Sequence, residues 1–158
     1  MELSCKVVDY VYHRIIEAGL VTKDTVDGCS DDDINQLEQQ FNVQLPAAYH
    51  YFLKVMGRGA GTFLEGTDWR YPQLVRMQKE AERLVGQSTT SYRLPQDVFV
   101  FAMNQGYSFL FFEAGQDDPP VFRFTEYDKE PMKVVPTFGE WLANCADEQI
   151  TYERQQLP

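Results

Sequence analysis

The glycines of Gly57-Arg58-Gly59-Ala60-Gly61 are the part of this chain that most invites comparison with a phosphate-binding loop. A nucleotide loop needs a strand before its glycines and a helix after them, so that backbone N–H groups face the phosphates. Here a helical pattern precedes the glycines, and Thr62-Phe63-Leu64 after them is typical of a short strand. We therefore predict that Gly57, Gly59 and Gly61 are turn residues, with Gly57 as the left-handed residue that ends a helix.

Histidine is the usual general acid or base near neutral pH, and the chain has only His13 and His50. Both lie within helical patterns beside tyrosines, where ordinary surface or half-buried histidines are more common than catalytic ones. A Gly-x-Ser-x-Gly elbow is missing from the sequence. Cys145 shares the core-facing spacing of Phe138 and Trp141, which indicates a buried thiol. We predict no catalytic residue, although an enzyme acting on a small cationic or glycan substrate remains an alternative.

Metal binding is also disfavoured by the residue spacing. Cys5, Cys29 and Cys145 are an odd, widely separated set without a CxxC pair, which favours reduced thiols in a cytoplasmic protein. Asp31-Asp32-Asp33 lacks the alternating ligands and central glycine of an EF-hand calcium loop. Preceded by Ser30, these acids are better explained as the capped first turn of a helix. We expect neither a metal nor a cofactor.

A chain with a formal net charge of −10 repels phosphate backbones, and nucleic-acid binding generally needs a basic stripe, so we expect no nucleic-acid partner. The acidity lies at both ends of the chain, while residues 70–93 carry a net positive charge. Solubility alone explains such a charge, and so does a basic protein partner. Since the chain contains no apolar stretch long enough to cross a bilayer, we also expect no membrane contact.

A set of acidic residues in the C-terminal third is the candidate partner-binding site. These residues follow or flank aromatic strands, and they are Glu113, Asp117, Asp118, Glu126, Asp128 and Glu130. The neighbouring aromatic residues are Tyr107, Phe109, Phe122, Phe124 and Tyr127. Aromatic side chains supply contact energy, and acidic rims steer a cationic partner. The alternative is that the aromatics face inward and the acids only solubilise the protein.

Four helical segments are predicted in the N-terminal half. The first spans 2–18, and the second begins after Ser30 with a buried stripe that reaches Phe41. Leu45-Pro46 places proline in the first turn of the third helix, and the fourth begins near Pro72. The third helix has core spacing at Tyr49, Phe52, Leu53 and Met56. We expect Trp69 to pack partly inward, and a small-ligand pocket beside it is left open.

Short aromatic and β-branched segments at 97–103, 107–112, 121–126 and 132–135 predict strands. Asn104-Gln105-Gly106 predicts a hairpin turn, and a Val98–Met103 segment apolar on both faces predicts a central strand. Thr137 and Glu140 predict a capping box that starts a last helix. The fold class is therefore α+β, with N-terminal helices packed on a mostly antiparallel sheet closed by a C-terminal helix. We predict one domain over 1–158, in which 1–29 is a helical extension.

The segment "INQLEQQFNVQLPAAYHYFLKVMGRGAG" (34–61) resembles the helix, Leu-Pro, helix, Gly signature of the SUKH superfamily. That group contains the fungal SMI/KNR-type cell-wall-assembly regulators and many bacterial immunity proteins. The likeness continues in "LPQDVFVFAMNQGYSFLFF" (94–112), "PPVFRFTE" (119–126) and "TFGEWLAN" (137–144). It covers about residues 30–145.

The resemblance implies a non-enzymatic protein-binding module, most often an immunity protein that binds a cognate bacterial toxin, such as a nuclease. Nuclease domains are commonly basic, and a chain of net charge −10 can mimic the charge of their substrate. The expected partner is thus a basic toxin protein, bound by a monomer or a weak homodimer. The alternative that the resemblance implies is a regulatory or scaffold protein of the cell-wall-assembly-regulator type.

Overall fold

The computed structural model describes residues 2–157, and its helices and strands confirm the α+β class. Four of the five helices precede the main sheet in the chain, and one helix follows it. The elements are α1 (Glu2–Glu17), β1 (Val26–Asp27), α2 (Asp31–Phe41), α3 (Ala47–Met56), β2 (Gly59–Ala60), α4 (Tyr71–Gln87), β3 (Val98–Asn104), β4 (Ser108–Glu113), β5 (Val121–Thr125), β6 (Met132–Val135) and α5 (Phe138–Gln155). The four main strands form one antiparallel sheet in the order β3-β4-β5-β6.

A second, two-stranded sheet corrects the prediction of a strand at Thr62–Leu64. The extended residues are instead Gly59 and Ala60, which pair with β1. The Phe63 N–H donates to the carbonyl of Ala60 at 2.9 Å, so the chain turns immediately after the pair. Strand β1 pairs with the backbone of Gly59–Ala60. A local sequence pattern does not predict pairing between segments so far apart in the chain.

One face of the main sheet is covered by aromatic rings from the helices. Tyr49 of α3 lies 5.1 Å from Phe112 and 5.4 Å from Phe138 of α5, measured between ring centroids. Phe101 of β3 lies 5.3 Å from the same Phe138. Such edge-to-face pairs add to the free energy gained from area burial. The C-terminal helix therefore closes the core, as predicted.

The helix α1 is packed into that core as well. Val8, Val11 and Ile15 are fully buried, and the helix contacts both α3 and α5. The residues that the sequence marks as an N-terminal extension thus share their buried surface with the rest of the fold.

The opposite sheet face carries its own aromatic ladder. Phe109 stacks on Phe124, and Phe111 stacks on Phe122, each at 5.6 Å. Tyr92, from the segment after α4, stacks on Phe124 at 6.2 Å. Both faces of the sheet are thus lined with aromatic side chains, which explains why its strands have apolar residues at successive positions.

Strand β3 is at one edge of the sheet, so the prediction that Val98–Met103 is central is wrong. Its outer backbone groups are satisfied by side-chain and bridge contacts. The Gln78 amide on α4 donates to the carbonyl of Val100 at 2.6 Å and accepts from its N–H at 2.9 Å. Asp68 and Met103 exchange two backbone hydrogen bonds of 2.9 Å. These contacts occupy the place of a further strand. Strand β3 is therefore covered on its outer side, and its sequence is as apolar as that of a central strand.

The other edge, β6, is short and carries features that discourage pairing with another chain. It contains Lys133, has a register shift near Val134, and is flanked by Pro131 and Pro136. A charged residue, irregular register and prolines are the ordinary means by which edge strands avoid edge-to-edge association. Neither edge of the sheet is therefore a bare template for a partner strand.

Helix ends follow the predicted caps in part. Ser30 Oγ accepts from the Asp33 N–H at 3.1 Å, and Asp33 Oδ2 accepts from the Ser30 N–H at 2.9 Å, which completes a capping box. Thr137 Oγ1 accepts from the Glu140 N–H at 3.0 Å at the start of α5. Pro46 is the residue before α3, whose first helical residue is Ala47, so it is not in the first turn.

Gly57 is right-handed, with φ −63° and ψ −20°, so the prediction of a left-handed helix end there is wrong. A Cβ at this position would lie 2.7 Å from the Cys29 Sγ. Close packing of the backbone against Cys29 therefore requires glycine here. The left-handed turn comes later, at Gly61, whose φ is 55°.

Candidate functional site

The two histidines are not assembled with acids into a catalytic pair. His13 is exposed and packs its ring against Tyr12 at 5.4 Å. His50 is half-buried and lines a shallow pocket of about 500 Å³. Within residues 2–157, neither histidine side chain has a hydrogen bond or ion pair to a carboxylate.

The thiols of Cys29, which is buried, and Cys145, which is half-buried, are poor nucleophiles. All three cysteines are free, and burial raises the pKa of Cys29 and of Cys145 to about 12. Both are therefore protonated at neutral pH, whereas the thiolate is the reactive form. In the part of the chain that the structure describes, no three His, Cys, Asp or Glu side chains are grouped so as to hold a metal ion.

The three consecutive aspartates serve the helix and its ion pairs. Asp31 accepts from Lys54 Nζ at 2.6 Å, and this hydrogen bond is the main reason that its pKa is lowered. Asp33 accepts from the Arg58 guanidinium at 2.9 and 3.1 Å in addition to its capping bond. That guanidinium also lies over the Tyr71 ring, 4.7 Å from its centroid. Asp31 and Asp33 therefore stabilise the N-terminus of α2 by capping it and by pairing with nearby cations.

The predicted partner-binding acids are distributed over three places. Glu113, at the end of β4, and Glu130, before β6, both line one groove. Glu126 and Asp128 lie in the turn between β5 and β6, where Asp128 Oδ2 accepts from the Thr125 N–H at 2.8 Å. The remaining two, Asp117 and Asp118, lie in the loop between β4 and β5.

Asp117 and Asp118 anchor two helix N-termini. The Asp117 carbonyl accepts from the Ala48 N–H at 2.9 Å at the start of α3. Asp118 Oδ1 accepts from the Gly139 N–H at 2.8 Å at the start of α5, and burial raises the pKa of this carboxyl. Asp118 is thus half-buried and engaged in the fold. Glu126 and Asp128 are half-buried as well, and the other three acids of the set are exposed.

The neighbouring aromatics divide between core and surface. Phe109 and Phe124 are fully buried, and Phe122 is partly buried. Tyr127 is 88% exposed and Tyr107 is 45% exposed. The alternative that the aromatic residues face inward therefore holds for the phenylalanines of β4 and β5. The two tyrosines are exposed to solvent and available to a partner.

These tyrosines belong to one end of the sheet, which we call the turn surface: Tyr107, Glu126, Tyr127 and Asp128. The Glu126 N–H donates to the Tyr107 carbonyl at 3.0 Å and so joins the β3–β4 turn to the β5–β6 turn. Gln105 and Gly106, with φ of 50° and 79°, make the predicted hairpin turn that places Tyr107 there. The turn surface combines exposed aromatic area with carboxylates.

A groove of about 760 Å³ crosses the sheet face opposite α3 and α5. Its walls are residues 89–92 and 129–131, its floor is formed by Phe111, Phe122 and Tyr92, and its charged residues are Glu113, Lys129 and Glu130. The Thr90 hydroxyl donates to the Lys129 carbonyl and ties the two walls together. Residues 87–93 have the polar composition of a linker, and Tyr92 is the one aromatic residue among them that could have indicated this groove.

Trp69 is 2% exposed and packs against Phe52 with ring centroids 5.5 Å apart. The prediction that it packs inward is confirmed. Trp69 is therefore part of the core.

Comparison with known proteins identifies the scaffold. A sequence model described as the SMI1 / KNR4 family (SUKH-1) matches residues 28–144, which is well over half of the chain. The match begins just before the Ser30 cap, ends within α5, and leaves α1 outside. None of the curated proteins compared matches the chain. None of the helices in residues 2–157 has the length and apolar character to cross a membrane.

Proposed function

The chain belongs to the SMI1/KNR4 (SUKH-1) family, and we propose that it is a non-enzymatic binding module that neutralises a bacterial toxin by direct contact. Two features support this proposal together. The family provides a scaffold used for protein binding, and the chain carries a net charge of −10 that suits a basic partner such as a nuclease domain. Free thiols are typical of the cytoplasm, where such a partner would be met.

The observation that carries the proposal is the turn surface. A tyrosine that is 88% exposed, beside the carboxylates of Glu126 and Asp128, leaves aromatic area in water that no part of residues 2–157 covers. Tyrosine is enriched among the residues that dominate binding energy at protein interfaces. Acidic neighbours raise the rate of encounter with a basic protein and orient it.

The six acids take different parts in the proposal. Glu126 and Asp128 flank the exposed tyrosines, and Glu113 and Glu130 flank the adjoining groove. We assign these four the direct contacts. Asp117 and Asp118 contribute to the field of the surface, while their bonds to α3 and α5 hold the loop in place.

Rescue from toxicity tests the function. The chain is expressed in cells together with the toxin domain encoded beside its gene, with the double variant Tyr127→Ala, Asp128→Ser as the test and Tyr152→Ala as the matched control. Tyr152 is an exposed tyrosine on α5, with 59% of its surface accessible, and lies outside the acidic turns. We expect the wild type and the Tyr152→Ala control to protect, and the double variant to protect poorly.

Binding measurements on the purified pair separate this function from its rivals. Tight binding together with loss of toxin activity supports neutralisation. Binding that leaves the toxin fully active, or no protection in cells, would refute it and point to a regulatory or scaffold role.

A further inference from the structure

The groove between residues 89–92 and 129–131 joins an aromatic floor to a carboxylate rim. Phe111 and Phe122 stack with their ring planes 23° apart, and both line the floor of the groove. Phe122 and Tyr92 are only partly buried, so part of each ring borders the open space. Glu113 and Glu130 are exposed at the rim.

Two carboxylates lie near enough to Tyr92 to act on its hydroxyl. Burial is the main cause that raises the pKa of Tyr92, and the carboxylates of Glu113 and Asp97 raise it further. Two cations lie nearby. The Arg93 guanidinium is held on the wall because it donates to the carbonyls of Tyr92, at 2.7 Å, and Thr90, at 3.1 Å. Lys129 lines the groove and forms no ion pair with any described residue.

An arginine side chain fits this combination of groups better than other side chains do. Its planar guanidinium stacks on aromatic faces and pairs with carboxylates in a fork geometry, whereas the lysine ammonium is a compact and strongly hydrated charge. A phosphate would be repelled by Glu113 and Glu130. A purely apolar side chain would strip water from the two carboxylates without pairing them.

The groove is built before any ligand arrives. The hydrogen bond from Thr90 to Lys129 fixes the distance between its walls, and Thr90 is itself buried. A preformed groove reduces the entropy lost when a ligand binds. Its volume of about 760 Å³ exceeds the needs of one side chain and leaves room for the residues beside it.

We propose that this groove receives an arginine from a basic segment of the protein partner, with its guanidinium over Phe122 and Tyr92 and between Glu113 and Glu130. The proposal rests on the proposed function for the identity of that partner as a toxin. It adds the residue type that is recognised and the place where recognition occurs. Lys129, the resident cation, competes with the incoming guanidinium.

Peptide titration followed by NMR tests the chemistry without the toxin. The probes are the tripeptide Gly-Arg-Gly, its lysine counterpart, and its citrulline counterpart, which has the shape of arginine without the charge. We expect saturable shifts at the backbone amides of Ser91, Glu113 and Glu130, in the order arginine, lysine, citrulline. Equal responses to arginine and citrulline, or shifts spread evenly over the acidic surface, would overturn the proposal.

Two charge variants are expected to change the affinity for the arginine peptide in opposite directions. Glu113→Gln should weaken arginine-peptide binding by roughly three- to tenfold, because it removes one charge-assisted partner. Lys129→Gln should strengthen the same binding by removing the competing charge. Glu17→Gln, an exposed acid on α1, serves as the matched control for lost negative charge. If all three variants bind alike, or if Lys129→Gln weakens binding, the site is wrong.

Phe122→Leu tests the aromatic floor while retaining apolar bulk. We expect the preference for arginine over lysine to shrink, since the stacking surface is lost. An unchanged preference would contradict the placement of the guanidinium over Phe122. The far-ultraviolet circular dichroism of the variant checks that the fold is intact.

The toxin experiments separate the two proposals. If the wild type protects cells and the double variant Glu113→Gln, Glu130→Gln binds the toxin as tightly as the wild type, the groove proposal fails together with the direct contacts assigned to these two acids, and neutralisation of the toxin stands. If the arginine peptide binds as expected and no toxin is neutralised, the proposed function fails and the groove remains a site for another basic segment.

Discussion

Removing the Gln78 side chain should destabilise the protein far more than an ordinary glutamine substitution on a helix. Gln78→Ala deletes the donor that meets the Val100 carbonyl at 2.6 Å and the acceptor that meets the Val100 N–H at 2.9 Å. Val100 is 1% exposed, so water does not readily replace both partners. The backbone of β3 is then left with two unsatisfied groups at the sheet edge.

The expected loss follows from those two groups. A buried donor or acceptor left without a partner costs about 1–3 kcal/mol. Gln78 is itself only partly buried, and its removal lets some water approach, so the lower part of the range applies to each group. The free energy of unfolding should therefore fall by about 2–4 kcal/mol in total. The uncovered edge should also promote self-association.

Urea unfolding and sedimentation measure the two effects. Gln39→Ala, at an exposed position of α2, is the matched control and should change the stability by no more than about 0.5 kcal/mol. Gln78→Glu retains an acceptor for the Val100 N–H but faces the Val100 carbonyl with a carboxylate, so it should recover stability only at acidic pH. A Gln78→Ala variant as stable as Gln39→Ala and equally monomeric would refute this account of the edge.

Three further changes test individual groups. The Tyr49 hydroxyl is buried and has no hydrogen-bond partner among the described residues, so Tyr49→Phe should raise the free energy of unfolding by about 1 kcal/mol; a loss in urea unfolding would show that the hydroxyl is satisfied. The Ser30 N–H is the main cause that lowers the pKa of Asp33, so the stability it contributes is present above the ordinary carboxyl pKa of 3.8 and is lost as the pH falls through the lowered value. Asp33→Asn should therefore destabilise at neutral pH and approach the wild type in strong acid, as measured by thermal unfolding across pH; a constant difference would contradict this. Because burial raises the pKa of Cys29 and Cys145 to about 12, a thiol reagent should label both much more slowly in the native protein than after unfolding, and equal rates would show that they are accessible.

Local sequence signals predicted the elements that are set by local chemistry. The caps at Ser30 and Thr137 are where the sequence places them, because a side-chain oxygen three residues from an N–H needs no distant partner. The strand predicted at 97–103 is observed at Val98–Asn104, and the one predicted at 132–135 is observed at Met132–Val135. Periodicity and aromatic content determine these segments within about a residue.

The errors concern positions fixed by distant contacts. Gly57 is right-handed, and the contact that favours glycine there comes from Cys29, in another part of the chain. Strand β3 was placed in the centre because hydropathy does not distinguish a neighbouring strand from the amide of Gln78. A polar residue within the apolar stripe of α4 was the signal for that contact.

The candidate site shows the same division. The acids were found from composition, but their separation into the turn surface, the groove and the helix anchors depends on the tertiary structure. The groove exists because Thr90 bonds to the Lys129 carbonyl, across a separation of 39 residues that no local pattern reveals. The exposure of Tyr127 could not be told from the burial of Phe124, since both lie in one aromatic run.

The central claim is that an acidic surface of this protein docks onto a basic toxin. The salt dependence of the rate at which the protein and the toxin associate tests this claim most directly. The association rate constant of the purified pair is measured by stopped flow from about 0.05 M to about 0.5 M sodium chloride, across which the screening length falls well below its value of about 8 Å at physiological ionic strength. We predict a decrease of roughly tenfold or more, with the dissociation rate little changed. An association rate that stays constant over this range would contradict the account.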